Sequence, residues 1–176
     1  MSPDIMNRVA QARDKKTVEQ LTDQDKHQID QWTAKFPLEH RASAVLPSLL
    51  LVQKNHKGWL AQNLLDEVAD YLDMPRIAVY EVATFYSMLE LESVGKHKIC
   101  VCTNISCMLR GSEKVVKHLE KRLGVGLGET TADGKFTLKE VECLAACVGA
   151  PMMQIGDHYY EDLTPQKIDN ILDNLE

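Results

Sequence analysis

The sequence predicts a two-lobe α+β chain, with a small helical bundle followed by a compact α/β lobe. Three observations carry this reading. Apolar residues recur at helical spacing as far as about Leu91. From Gly95 onward the pattern changes to short strand-like runs separated by turn residues. The 176 residues suffice for two small cores, since single domains typically hold on the order of 100 to 150 residues. The expected limits are an N-terminal extension over 1–20, the helical bundle over 21–93 and the α/β lobe over 94–176.

In the first lobe Thr22 is placed to cap a helix carrying Ile29, Trp32 and Phe36 on one stripe, which Pro37 stops. A second helix is expected from near Ala42 to Gly58, with Val45, Leu46, Leu49 and Leu50 inward and Pro47 tolerated near its first turn. Leu60, Leu64, Val68 and Leu72 recur every fourth position as a third stripe. Pro75 suits the first position of a fourth helix with Ile77, Tyr80, Val82, Ala83 and Phe85. Four short-linked helices make a small bundle.

In the second lobe His97 to Cys102 reads as a buried strand followed by a loop. Ser112 then caps a helix with Val115, Val116, Leu119 and Leu123 inward, ended by Gly124. Asp133-Gly134 signals a turn before a strand with Phe136 and Leu138, continued by Val141 to Cys143 past a bulge near Glu140. Pro151 to Ile155 and His158 to Tyr160 flank Gly156-Asp157 as a hairpin. Thr164 and Pro165 start a last helix with Ile168, Ile171, Leu172 and Leu175 inward. The order strand, helix, strand, hairpin, helix resembles a thioredoxin-like half-sandwich.

Composition narrows the function. The formal charge of -6 disfavours a phosphate-binding surface, so nucleic acid is not an expected partner. No apolar run approaches the roughly 20 residues needed to span a bilayer, so no direct membrane insertion is expected. Met1 to Lys16 resembles neither a secretory signal nor a transit peptide, which implies an internal location. The six histidines show no metal-ligand spacing, and Gly124-Val-Gly126-Leu-Gly128 lacks the strand-before, helix-after context of a dinucleotide loop. No catalytic residue is assigned.

The five cysteines carry the chemistry. Cys102 and Cys107 enclose four residues, Cys143 and Cys147 enclose three, and both pairs sit in loops beyond strand ends. Four soft thiolates complete the sulfur shell that either zinc or an iron-sulfur cluster demands, and spacing alone does not separate the two. A thioredoxin-type redox pair would want two intervening residues, which neither pair has. Cys100 reads as a packed thiol outside the site. The turn into the Ser112 helix offers backbone N–H groups to an anionic group.

The runs Cys102-Thr-Asn-Ile-Ser-Cys107 and Glu142-Cys-Leu-Ala-Ala-Cys147-Val-Gly-Ala-Pro151 resemble the cluster motif of the 24 kDa subunit of respiratory complex I. Related subunits occur in NAD-linked hydrogenases and formate dehydrogenases. The likeness extends to Arg41-Ala-Ser-Ala-Val-Leu-Pro47, Gly58-Trp59-Leu60, Glu81-Val-Ala-Thr-Phe-Tyr86 and Tyr160-Glu-Asp-Leu-Thr164. The resemblance implies a thioredoxin-like 2Fe-2S ferredoxin domain, with one cluster held by Cys102, Cys107, Cys143 and Cys147. It also implies an electron carrier with no substrate site of its own, beside an FMN-bearing, NADH-oxidising flavoprotein subunit. A complex I host would place the chain peripherally, on the cytoplasmic face of a bacterial inner membrane or the mitochondrial matrix side. The alternatives are the equivalent subunit of a soluble hydrogenase or formate dehydrogenase, and, in another class, a zinc-stabilised interaction module. Two positions depart from the family pattern. Ala145 stands where glycine is common, and Ser106 where proline or another small residue often precedes the second ligand. Phe85 and Tyr86 are candidate interface aromatics for docking the flavoprotein.

Overall fold

The computed structural model describes residues 19–175, so most of the expected 1–20 extension lies outside the described residues. The chain divides into two compact units between Ser93 and Val94.

The first unit is helical. Helix α1, Asp23–Thr33, opens with a reciprocal cap: Asp25 N donates to Thr22 Oγ1 at 3.1 Å, and Thr22 N donates to Asp25 Oδ2 at 2.9 Å. This satisfies two N–H groups that a bare helix start leaves unpaired. A 3-10 segment over Leu38–Ala44 leads into α2, Val45–Asn55, so α2 starts later than Ala42 and ends before Gly58. Pro47 is its third residue, where the missing N–H would have had no partner within the helix.

The buried stripe of α2 is Val45, Ser48, Leu49, Val52 and Gln53. Leu50, expected inside, is 36% exposed. Gln53 is tolerated inside because its amide is bonded: its Nε2 donates to the Met88 carbonyl at 3.1 Å and its Oε1 accepts from Glu90 N at 2.6 Å.

Helix α3, Gln62–Leu72, buries Leu64, Leu65, Val68, Ala69 and Leu72, and Leu60 is buried ahead of it. Helix α4, Arg76–Phe85, packs against α2 and α3. Pro75 is its cap, one place before the expected first position. Its buried residues are Val79 and Ala83, a short side chain that permits close approach, while Ile77 and Phe85 are 67% and 79% exposed. All five residues expected in this helix lie within it, and Val79, not singled out in the sequence, is one of the two that it buries.

The second unit contains β1 (His97–Cys102), α5 (Ile105–Leu109), α6 (Ser112–Leu123), β2 (Phe136–Val141), β3 (Met153–Ile155), β4 (His158–Tyr160) and α7 (Pro165–Asp173). The sheet order is β2-β1-β3-β4, with β1 and β2 parallel and the other pairs antiparallel. Ile99, Val101, Leu119, Leu138, Met153, Ile168 and Leu172 form the centre of its core.

Three local expectations change here. Helix α5 replaces the expected loop, started by Asn104, whose side chain accepts from Ile105 N at 2.6 Å. Gly111, at φ +95, is the cap of α6 in place of Ser112, which lies inside the helix and is buried. Strand β2 runs in unbroken register to Val141, opposite Cys102, and Cys143 lies beyond it. The bulge expected near Glu140 is absent, since Glu140 pairs with Val101 and Val141 with Cys102 in sequence; the buried Thr137 has its hydroxyl satisfied, with Gly95 N donating to it at 2.6 Å and Thr130 Oγ1 at 2.8 Å.

Candidate metal centre

Parallel pairing builds the site. Because β1 and β2 run the same way and end together at Cys102 and Val141, the segments that follow both leave the same end of the sheet. One carries Cys107 on α5, and the other carries Cys143 and Cys147. Strand β3 adds a third wall, since Cys102 N donates to the Met152 carbonyl at 3.2 Å.

Cys102 and Cys107 are 4% and 1% exposed, in a small apolar cluster with Ala150 and Met152. Leu144 and Ala146 pack against that cluster, which carries the second cysteine segment to the first pair. Cys143 and Cys147 themselves are exposed. Cys147 opens a 3-10 turn that ends at the buried Gly149. A Cβ on Gly149 would lie 2.5 Å from the Glu161 Cβ, so only glycine lets residues 161–163 close over the turn. There Asp162 N donates to the Gly149 carbonyl at 2.7 Å and Leu163 N to the Pro151 carbonyl at 3.0 Å.

Burial pushes the Cys107 thiol up to about 11, helped by its hydrogen bond with Cys102 and by the charges of Cys102 and Cys147, against a lowering contact from the Met152 backbone N–H. A buried thiol held protonated in this way suits a bound cation, which would stabilise its thiolate. Backbone donors already face sulfur: Ala145 N lies 3.3 Å from Cys143 Sγ. Among the described residues, however, no three His, Cys, Asp or Glu side chains stand close enough together to hold a metal ion as they are. The polypeptide alone thus brings Cys102 and Cys107 together, couples Cys147 to them and leaves Cys143 at the surface.

Cys100 lies in the middle of β1, opposite Lys139 and Gln154, away from the strand end. Glu140 is held across the sheet, accepting from Thr103 Oγ1 at 2.6 Å. Ala145 adopts φ +58, the left-handed conformation that its departure from the glycine pattern made awkward. The role of the Met152 N–H had no signature in the sequence, because it depends on β3 lying beside β1.

The model of the thioredoxin-like [2Fe-2S] ferredoxins matches residues 29–176. The chain belongs to this family. Membership decides between the two metals that the thiolate spacing left open, in favour of one 2Fe-2S cluster. The chain is 54% identical over 142 residues to a subunit of the NADH-quinone oxidoreductase of Rickettsia conorii, covering 81% of this chain and 85% of that one. It is 43% identical over 156 residues to the mitochondrial NADH dehydrogenase [ubiquinone] flavoprotein 2 of Dictyostelium discoideum, covering 89% of this chain and 63% of that one. Its fold matches part of an NAD+-reducing [NiFe]-hydrogenase in the H2-reduced state, with a TM-score of 0.63 and 19% identity over 73% of this chain and 22% of that one.

Proposed function

We propose that this chain is the 2Fe-2S electron-transfer subunit of an NADH-quinone oxidoreductase, with Cys102, Cys107, Cys143 and Cys147 as the cluster ligands. The observation that carries the reading is the meeting of both cysteine segments at one end of the sheet, in a chain 54% identical to a subunit of such a complex. That identity favours a quinone-reducing host over a soluble hydrogenase or formate dehydrogenase.

The bound cluster supplies a one-electron carrier. The chain's own residues do the rest. Cys102 and Cys107 hold one side in an apolar, water-poor pocket with Ala150 and Met152, while Cys143 and Cys147 present the other side at the surface, where a donor can approach. The Ala145 and Met152 N–H groups face sulfur and offset its negative charge. The chain offers no substrate chemistry of its own. The donor is an FMN-bearing, NADH-oxidising flavoprotein subunit, with FMN and NADH bound there and other subunits of the complex beyond it.

Among the described residues no helix is long and apolar enough to cross a membrane. As part of such a complex the chain sits on the inner face of the membrane through its partners, bacterial or mitochondrial. We also assign 21–93 as a docking domain and 94–176 as the cluster domain.

Anaerobic purification followed by iron and sulfide analysis and electron paramagnetic resonance tests the ligand set. Wild type should hold two irons and two sulfides (the cluster stoichiometry). Cys102→Ala, Cys107→Ala, Cys143→Ala and Cys147→Ala should each lose most of the signal, and Cys100→Ala should keep it. Full cluster content in any of the four would strike that residue from the set, and stoichiometric zinc in anaerobically reconstituted wild type would defeat the reading.

A further inference from the structure

We propose that Ala145 is a positioning residue for electron transfer: held in a left-handed turn by its two anchored neighbours, it aims its N–H at Cys143 Sγ and raises the reduction potential of the site. The inference rests on the reading of Cys143 as a cluster ligand.

The anchors are Leu144 and Ala146. Both pack into the apolar pocket of Cys102, Cys107, Ala150 and Met152, while Ala145 between them stays exposed. The chain must nevertheless turn between Cys143 and the 3-10 turn at Cys147, and it turns at Ala145, φ +58. An alanine there is strained relative to glycine. Such strain persists only where the surroundings over-determine it, and the two partly buried neighbours packed on the apolar cluster are those surroundings.

The product of the turn is a 3.3 Å contact from Ala145 N to Cys143 Sγ. One-electron reduction adds negative charge to a site that is already anionic. An N–H dipole fixed on a ligand sulfur stabilises the reduced form more than the oxidised one, so the potential rises. Cys102 has no such help from Glu142, whose backbone group near its sulfur is a carbonyl acceptor at 3.7 Å. The Met152 N–H serves the buried Cys107, and the Ala145 N–H applies a second favourable dipole on the exposed, Cys143 side. Exposure of Ala145 itself makes a packing role for its methyl group unnecessary, so effects of substitution there report on the backbone.

The test is a redox titration of the cluster-loaded full-length chain, followed by electron paramagnetic resonance and visible absorption. In Ala145→Val, a β-branched residue poorly suited to positive φ, the N–H should leave the sulfur and the midpoint potential should fall. Ala145→Gly adopts the same turn without strain, so its potential should stay at the wild-type value while its thermal midpoint rises. A cluster-loaded Ala145→Val protein with wild-type potential would overturn the inference. If that variant binds no cluster, the peptide N–H of residue 145 is replaced by an ester oxygen, by ligating a synthetic 143–176 segment to the preceding chain at Cys143. A lower potential then supports the proposal and an unchanged one overturns it. Failure of the wild-type chain itself to bind a cluster would instead overturn the ligand reading beneath it.

Discussion

At the scale of single residues, the buried carboxylate of Asp25 shows how polar groups are tolerated inside the first unit. Burial alone would raise its pKa. Hydrogen bonds from Asn55 at 2.7 Å, His56 at 2.9 Å and Thr22 at 2.7 and 2.9 Å outweigh that and hold it at about 2, below the usual 3.8. Because the folded value is depressed, the contribution is complete above pH about 4 and is lost as pH falls toward about 2. It is on the order of 2 kcal/mol. Asp25→Asn should therefore flatten the acid limb of the stability curve, which denaturant unfolding between pH 2 and pH 6 measures; an unchanged limb would place the acid sensitivity elsewhere. This network was only half legible in the sequence. Thr22 as a cap follows from residue type and spacing, whereas the bonds from Asn55 and His56 depend on α2 lying beside α1.

At the scale of elements, regular features were read well and rotations poorly. The capped start of α1, the hairpin at Gly156-Asp157 and the Thr164-Pro165 start of α7 follow from local chemistry, and all three are present. Which face of α2 turns inward was misjudged at Leu50, which is 36% exposed, because an apolar run of consecutive residues does not by itself say which of them the neighbouring helices will cover. Helix α5 escaped notice since five residues are too few for periodicity to register. For the site, cysteine spacing picked out the two segments, whereas their departure from the same end of the sheet is a property of parallel pairing. Gly95 tests how tightly that pairing is built. A Cβ there would come within 2.8 and 2.9 Å of Phe136 backbone atoms, which cannot swing aside as a side chain can. Gly95→Ala should cost about 2 kcal/mol in denaturant unfolding, whereas Gly126→Ala, whose nearest contact is a Glu129 side-chain oxygen at 3.4 Å, should cost far less. Equal effects at the two positions would show that the start of β1 yields.

At the scale of the whole chain, each unit has its own core: Leu21 to Leu89 supply one, Ile99 to Leu172 the other. Among the described residues none is shared between them. Deleting residues 1–92 should therefore leave a fragment that binds the cluster but no longer co-purifies with the flavoprotein subunit. Normal assembly of that fragment into an active NADH-oxidising complex would remove the docking role of the helical unit. A finer probe is Phe85. Of the two candidate interface aromatics, Tyr86 packs against the helical core, and Phe85 stands 79% exposed with its ring edge-to-face on Tyr86 at 5.1 Å. Phe85→Ser should weaken co-purification at least tenfold with little change in unfolding midpoint, as expected for an exposed anchor. A large loss of stability with unchanged assembly would return Phe85 to the structural framework.

The parallel alignment of β1 and β2 also dictates when the site comes into being. Cys102 and Cys143 are separated by α5, α6 and β2, and the segments that carry them leave the same end of the sheet only after that crossover has packed onto it. Such non-local pairings form late, because loop closure must precede the contacts that reward it. A chain still emerging from the ribosome offers two separate dithiols, each able to capture a stray metal ion but neither able to hold the cluster. On the ligand set proposed above, all four thiols are available to one cluster only in a second unit whose parallel pairing has already formed.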